Sequence, residues 1–78
     1  MSPSDVAYAY PIINQLRALR QSKGLSQRQL STSIGYSTEM VHAWETRQRL
    51  PTLRSLYEWC SGLGVELTIH ERVKQRGY

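Results

Sequence analysis

Apolar residues along this chain recur first at helical spacing and then, toward the C-terminus, at strand spacing. Ile12, Ile13, Leu16 and Leu19 form the first helical set, with Arg17, Arg20 and Gln21 between them. Pro11 precedes the set and suits a first helical turn, where its missing N–H costs nothing. Lys23-Gly24 closes it: a basic residue in the last turn, then a glycine able to take the left-handed conformation. Ser26 is a good N-cap for a short helix over 27–34, with Leu30 and Ile34 on one face. Gly35 ends that helix, and Ser37 can cap the next one at once. This third helix, over 38–46, carries Met40, Val41 and Trp44 at helical spacing. Pro51 marks a loop, and Thr52 caps a fourth helix that ends at Gly62 and Gly64. Its expected inward residues are Leu53, Leu56, Trp59, Cys60 and Leu63. Val65-Glu66-Leu67-Thr68-Ile69-His70 then alternates apolar with polar, the signature of a strand. The predicted organisation is a flexible N-terminal arm over 1–10, a four-helix unit over 11–64, a strand over 65–71 and a basic tail over 72–78. Within the arm, Val6–Tyr10 can run extended.

Two short helices joined by a tight turn at Gly35 make a helix-turn-helix plan. In that plan the first helix braces against the phosphates of a duplex and the second lies in the major groove. The sequence resembles the lambda-repressor-like, or Xre/Cro, family of DNA-binding proteins. Leu16…Leu19-Arg20…Gly24-Leu25-Ser26-Gln27…Leu30…Ile34-Gly35…Ser37…Val41…Trp44-Glu45…Pro51-Thr52-Leu53…Leu56…Trp59-Cys60…Leu63-Gly64-Val65 carry the resemblance. It covers about residues 12–65 and implies a mainly α, four-helix lambda-repressor-like domain, here followed by one C-terminal β-strand. Two positions depart from the family pattern. Ser31 stands where an alanine is usual, at the close contact of the two helices, and Arg47 stands where a glycine is common.

Composition sharpens this picture in one respect. The 78 residues carry 10 Lys+Arg against 6 Asp+Glu, a formal net charge of +4 and a pI of about 9.6. The excess sits in 11–62, where Arg17, Arg20, Lys23, Arg28, Arg47, Arg49 and Arg54 face Glu39, Glu45 and Glu58. A basic balance there favours a polyanionic partner. The length fits one domain with a core near the minimum size for stability. One cysteine, Cys60, excludes a disulfide framework and a cysteine-based zinc site. No stretch approaches the roughly 18–20 apolar residues of a membrane span. Met1–Asp5 lacks the basic-then-apolar pattern of a signal peptide, so a cytoplasmic protein is expected, and the resemblance implies a bacterial or phage-encoded one. His42 and His70 fall on different elements, and no Ser/His/Asp set, paired carboxylates or glycine-rich phosphate loop is evident. The expectation is a binding protein, not an enzyme, with no cofactor and no metal.

The resemblance implies roles position by position. Gln27 opens the bracing helix and would face a phosphate. Arg28, Ser37, Arg47 and Arg49 would join it along the phosphate path, each neutralised phosphate steepening the salt dependence of binding. Thr38, Glu39, His42 and Ala43 would project toward base edges. Thr38 suits a thymine methyl or a hydroxyl contact, and Ala43 offers apolar contact. Glu39 either accepts from a cytosine amino group or sits in the first helical turn because the helix dipole favours it there. His42 meets a base, a phosphate or solvent. Arg20 and Glu45 form an ion pair that locks the first helix to the third. Trp44 and Trp59 read as core, and Cys60 as a buried, inert thiol.

A single strand cannot satisfy its own backbone, so the segment over 65–71 needs a partner. The same segment of a second copy would give an antiparallel pair, with Val65, Leu67 and Ile69 facing the helices beside Tyr57. Pairing with Val6–Tyr10 is the alternative. The helix-then-strand ending is also similar to Hip-type antitoxins, which implies a toxin or other regulatory protein as a further partner. The functional expectation is a homodimeric regulator binding a palindromic operator in double-stranded DNA. An autoregulating antitoxin, or an interaction module that has lost DNA binding, are the alternatives.

Overall fold

The computed structural model describes the backbone of residues 3–69 and the side chains of residues 11–69. Among these residues four helices follow in order: α1 over Pro3–Ser22, α2 over Gln27–Ser33, α3 over Met40–Glu45 and α4 over Leu53–Gly62. α3 packs on both α1 and α2, and α4 packs on α2. The shared core is Ile13, Leu16, Leu30, Val41, Trp44, Trp59, Cys60 and Leu63. Trp44 and Trp59 stack at its centre, with ring centroids 5.1 Å apart and planes 28° from parallel. Burying side chains of this size supplies about 1.5–3 kcal/mol each.

α1 starts earlier than the sequence pattern predicts. Pro3 occupies the opening position expected for Pro11, and Pro11 lies inside the helix, where it contributes no backbone donor. Ala7 and Ala9 are strong helix formers, and the helix continues across Pro11. The segment expected as an extended arm is thus helical from Pro3 onward, and Val6–Tyr10 is not available as a strand partner.

All four helices end in one hydrogen-bonded motif. After α2, Gly35 takes φ 85°, its N–H bonds Thr32 O at 3.1 Å, and Tyr36 N–H bonds Ser31 O at 2.9 Å. The same pair of bonds closes α1 at Gly24 and α4 at Gly64. α3 ends in the same way, but on Arg47, at φ 65°. Arg47 N–H bonds Trp44 O at 3.2 Å and Gln48 N–H bonds Ala43 O at 2.9 Å. Among the described residues Arg47 is the only non-glycine with positive φ.

Three further expectations change. Ser37 does not cap α3 through its side chain. The N-cap is Glu39 with no side-chain bond, because 38–39 form a tight turn in which Met40 N–H bonds Ser37 O at 3.1 Å. Leu53 does not turn inward: as the first residue of α4 it is 69% exposed. Residues 65–69 form no strand pairing among the described residues, and 70–71 and the basic tail lie outside them. Val65 and Leu67 pack against the core, whereas Ile69 does not face the helices and is 95% exposed.

Candidate nucleic-acid interface

The candidate site is built on α2, the turn after it, and α3. α2 is fixed at its start by a capping box. Ser26 Oγ accepts from Gln29 N–H at 2.9 Å, and Gln29 Oε1 accepts from Ser26 N–H at 2.8 Å. The turn is fixed by Tyr36, a residue the sequence pattern passed over. Its ring meets Trp44 edge-on, with centroids 5.2 Å apart. Its hydroxyl bonds Ser55 Oγ at 3.0 Å and donates to Glu58 Oε1, tying the turn to α4. An aromatic side chain in a polar turn was the available signal.

α3 is anchored by what it buries. Val41, Trp44 and Glu45 face inward, while His42 is exposed and Ala43 half-exposed. The Glu45 side chain is 1% exposed and would be untenable unpaired. Arg20 supplies the partner. Its Nε donates to Glu45 Oε2 at 2.7 Å and its Nη2 to Oε1 at 3.1 Å, a bidentate pair between α1 and α3. Nη1 donates to Leu25 O at 2.7 Å, which fastens the α1–α2 connection to the same guanidinium. Arg17, half-exposed, lies 3.8 Å from Glu45 Oε1. Buried in these bonds, Arg20 is not a surface cation.

The remaining site residues fall into distinct places. Ser37, Glu39, Ala43 and Arg49 line one shallow depression together with Met40. Thr38 adjoins it, its hydroxyl donating to Glu39 Oε1 at 3.3 Å. Arg28 is exposed on α2. Gln27 and His42 meet each other, with Oε1 and Nδ1 3.1 Å apart, and Gln27 Nε2 also donates to Glu45 Oε1 at 2.9 Å. The Gln27 side chain thus carries internal bonds where a phosphate contact was expected. Arg47 turns back to α1, its Nη2 donating to Asn14 Oδ1 at 3.2 Å. Tyr57, 49% exposed on α4, borders a groove with Gly64, Val65, Leu67 and Thr68. Burial pushes the Cys60 thiol pKa up, which disfavours the reactive thiolate. Among the described residues no cluster of three His, Cys, Asp or Glu side chains could hold a metal, and no helix is long and apolar enough to cross a membrane.

The sequence over this arrangement is similar to that of known proteins. A helix-turn-helix family model matches residues 16–70. An uncharacterized HTH-type transcriptional regulator, y4dJ of Sinorhizobium fredii (strain NBRC 101917 / NGR234), is 38% identical over 47 residues. That match spans 60% of this chain and 61% of the relative's length. No solved structure matches the chain significantly. With the matched span enclosing the capping box, the Gly35 turn and the buried Arg20–Glu45 pair, the chain belongs to the lambda-repressor-like (Xre/Cro) helix-turn-helix family.

Proposed function

We propose that the chain is a sequence-specific DNA-binding transcriptional regulator, with α3 and the turn before it entering the major groove. The observation that carries this reading is the depression lined by Ser37, Glu39, Met40, Ala43 and Arg49 on a helix locked from behind by Arg20 and Glu45. A locked helix carrying the exposed His42, preceded by a turn with the exposed Ser37 and Glu39 and with a guanidinium nearby, suits base-edge readout beside a phosphate track. The relative named a transcriptional regulator supports the same reading. Thr38, Glu39, His42 and Ala43 are the proposed base-reading residues. Arg28, Ser37 and Arg49 are the proposed phosphate contacts, with Gln27 and Arg47 contributing only by sharing or exchanging their internal bonds.

The regulator is proposed to act as a homodimer on a palindromic operator. Support comes from Tyr57, half-exposed on α4, and Ile69, 95% exposed after it, two large apolar side chains open to solvent on the C-terminal side of the domain. Strand exchange over 65–71 between two copies would cover both. A two-fold axis would then set recognition helices about 34 Å apart, one helical turn of DNA.

The test is retardation of duplex DNA from upstream of the coding sequence at low and moderate salt. A discrete shifted species at nanomolar protein is expected. Arg49→Ala should weaken all sequences alike and lower the log–log salt slope by about one unit. Thr38→Ala or Glu39→Ala should change the preferred site. No retardation at low salt, with a defined protein complex instead, would replace this reading by that of a protein-interaction module.

A further inference from the structure

Gln27 stands between a buried carboxylate and an exposed imidazole, and its neighbours decide which way its amide faces. Glu45, gripped by the Arg20 guanidinium at 2.7 and 3.1 Å, offers only acceptor oxygens. The Gln27 atom 2.9 Å from Glu45 Oε1 is therefore the amide nitrogen. The amide oxygen is then the atom 3.1 Å from His42 Nδ1, and it too can only accept. Nδ1 must carry the proton. A neutral imidazole protonated on Nδ1 presents a bare Nε2, which is an acceptor.

We propose that the relay Arg20–Glu45–Gln27–His42 makes His42 a specificity-determining residue. It holds the imidazole as the Nδ1–H tautomer, so that Nε2 accepts a hydrogen bond from the amino group of adenine or cytosine. This inference rests on the DNA-binding reading. In the major groove guanine and thymine present acceptors at the corresponding atoms, N7, O6 and O4, and a phosphate oxygen has no proton to give. An acceptor-only nitrogen discriminates among these partners: adenine N6 and cytosine N4 are the donors on offer. His42 is thus a base-reading residue and not a phosphate contact, a choice its place in the sequence leaves open. The same relay explains why Gln27, at the start of α2, turns its side chain inward and not to solvent.

The experiment has two arms on the full chain. In the first, long-range 1H–15N spectra of the free protein are recorded at about pH 8, above the ordinary histidine range, with His42→Ala for assignment. The Nδ1–H tautomer pattern is expected for His42, and Gln27→Leu should abolish it. An Nε2–H pattern in the native chain, or an unchanged pattern in Gln27→Leu, overturns the relay. The native tautomer pattern is read without Gln27→Leu, so a poorly folding Gln27→Leu does not protect the proposal. In the second arm, duplexes are selected from a random pool. The native chain should prefer an amino-bearing base at one position per half-site by about fivefold, the worth of one hydrogen bond. His42→Ala and Gln27→Leu should both lose that preference at that position. Retention of the preference in either variant overturns the readout. A native chain that retards no duplex overturns the DNA-binding reading and the readout with it, while the first arm still judges the relay.

Discussion

Ser31 Oγ accepts the Val41 N–H at 3.0 Å, so α3 is capped from α2 and not by the residue that precedes it. The Ser31 hydroxyl in turn donates to Gln27 O at 2.8 Å, and the residue is fully buried. α3 has no side-chain bond at its own N-cap, so this hydroxyl satisfies a donor that the helix start would otherwise leave unpaired. Ser31→Ala removes the acceptor without changing the fit. The buried N–H then bears a desolvation penalty of about 1–2 kcal/mol. Thermal unfolding should show a fall in Tm of several degrees, with faster amide exchange at Val41. An unchanged Tm would mean that the close helix contact, and not the hydroxyl, holds α3.

Arg47 closes α3 with φ 65°, a conformation that L side chains adopt at a cost and glycine adopts freely. The two bonds of the closing motif require it, since they form only with the left-handed residue in place. Its guanidinium bond to Asn14 offsets part of the cost, but that contact is exposed and weak. Arg47→Gly should therefore stabilise the domain by about 0.5–1 kcal/mol. The denaturant midpoint should rise with an unchanged m-value. A lower midpoint would assign Arg47 a structural weight beyond the Asn14 bond.

Gly62 is the last residue of α4, and its role there is packing. A Cβ built on it would lie 2.9 Å from Leu30 Cδ1 and closer still to Ile34 Cγ2, so α4 meets α2 where no side chain fits. Gly62→Ala gains helix propensity of about 1 kcal/mol but must displace branched side chains of α2 that fill this contact. Overpacking of this kind costs about 1–3 kcal/mol. The net expectation is a destabilised protein by chemical denaturation; a stabilised one would show that Ile34 can rotate away.

Much of this was legible in the sequence because local chemistry and tertiary structure agree there. Ser26, Gly35, Thr52 and Gly64 mark boundaries by capping and backbone freedom, and the structure uses each of them so. The Arg20–Glu45 contact followed from the family pattern, and Trp44 and Trp59 from helical spacing. What was not legible depends on neighbours distant in the chain. Pro11 and Pro3 carry the same start signal, and nothing local chooses between them. Gly62 ends α4 as expected, but its packing role is visible only once Leu30 and Ile34 are placed against it. Gln27 and Arg47 look like outward polar residues until Glu45, His42 and Asn14 appear beside them.

The Arg20–Glu45 pair separates two accounts of its own weight. A surface ion pair contributes about 0–1 kcal/mol, whereas breaking a buried one by removing a single partner costs about 3–5 kcal/mol. Here the Glu45 side chain is 1% exposed and that of Arg20 11% exposed, which places the pair in the second class. Glu45→Leu leaves a buried guanidinium with only Leu25 O as acceptor. Arg20→Met leaves a buried carboxylate with Gln27 Nε2 and a more distant Arg17. Either change should unfold much of the protein at 25 °C, since the stability of a domain this small is of the same order. The double variant Arg20→Met/Glu45→Leu removes both charges and should recover most of the loss, because the desolvation cost disappears with the attraction. Circular dichroism of the three variants decides between the accounts. Single variants as stable as the parent would put the pair in the surface class. A double variant no better than the singles would show that the bonds to Leu25 O and Gln27, and not the charge balance, hold α1, α2 and α3 together.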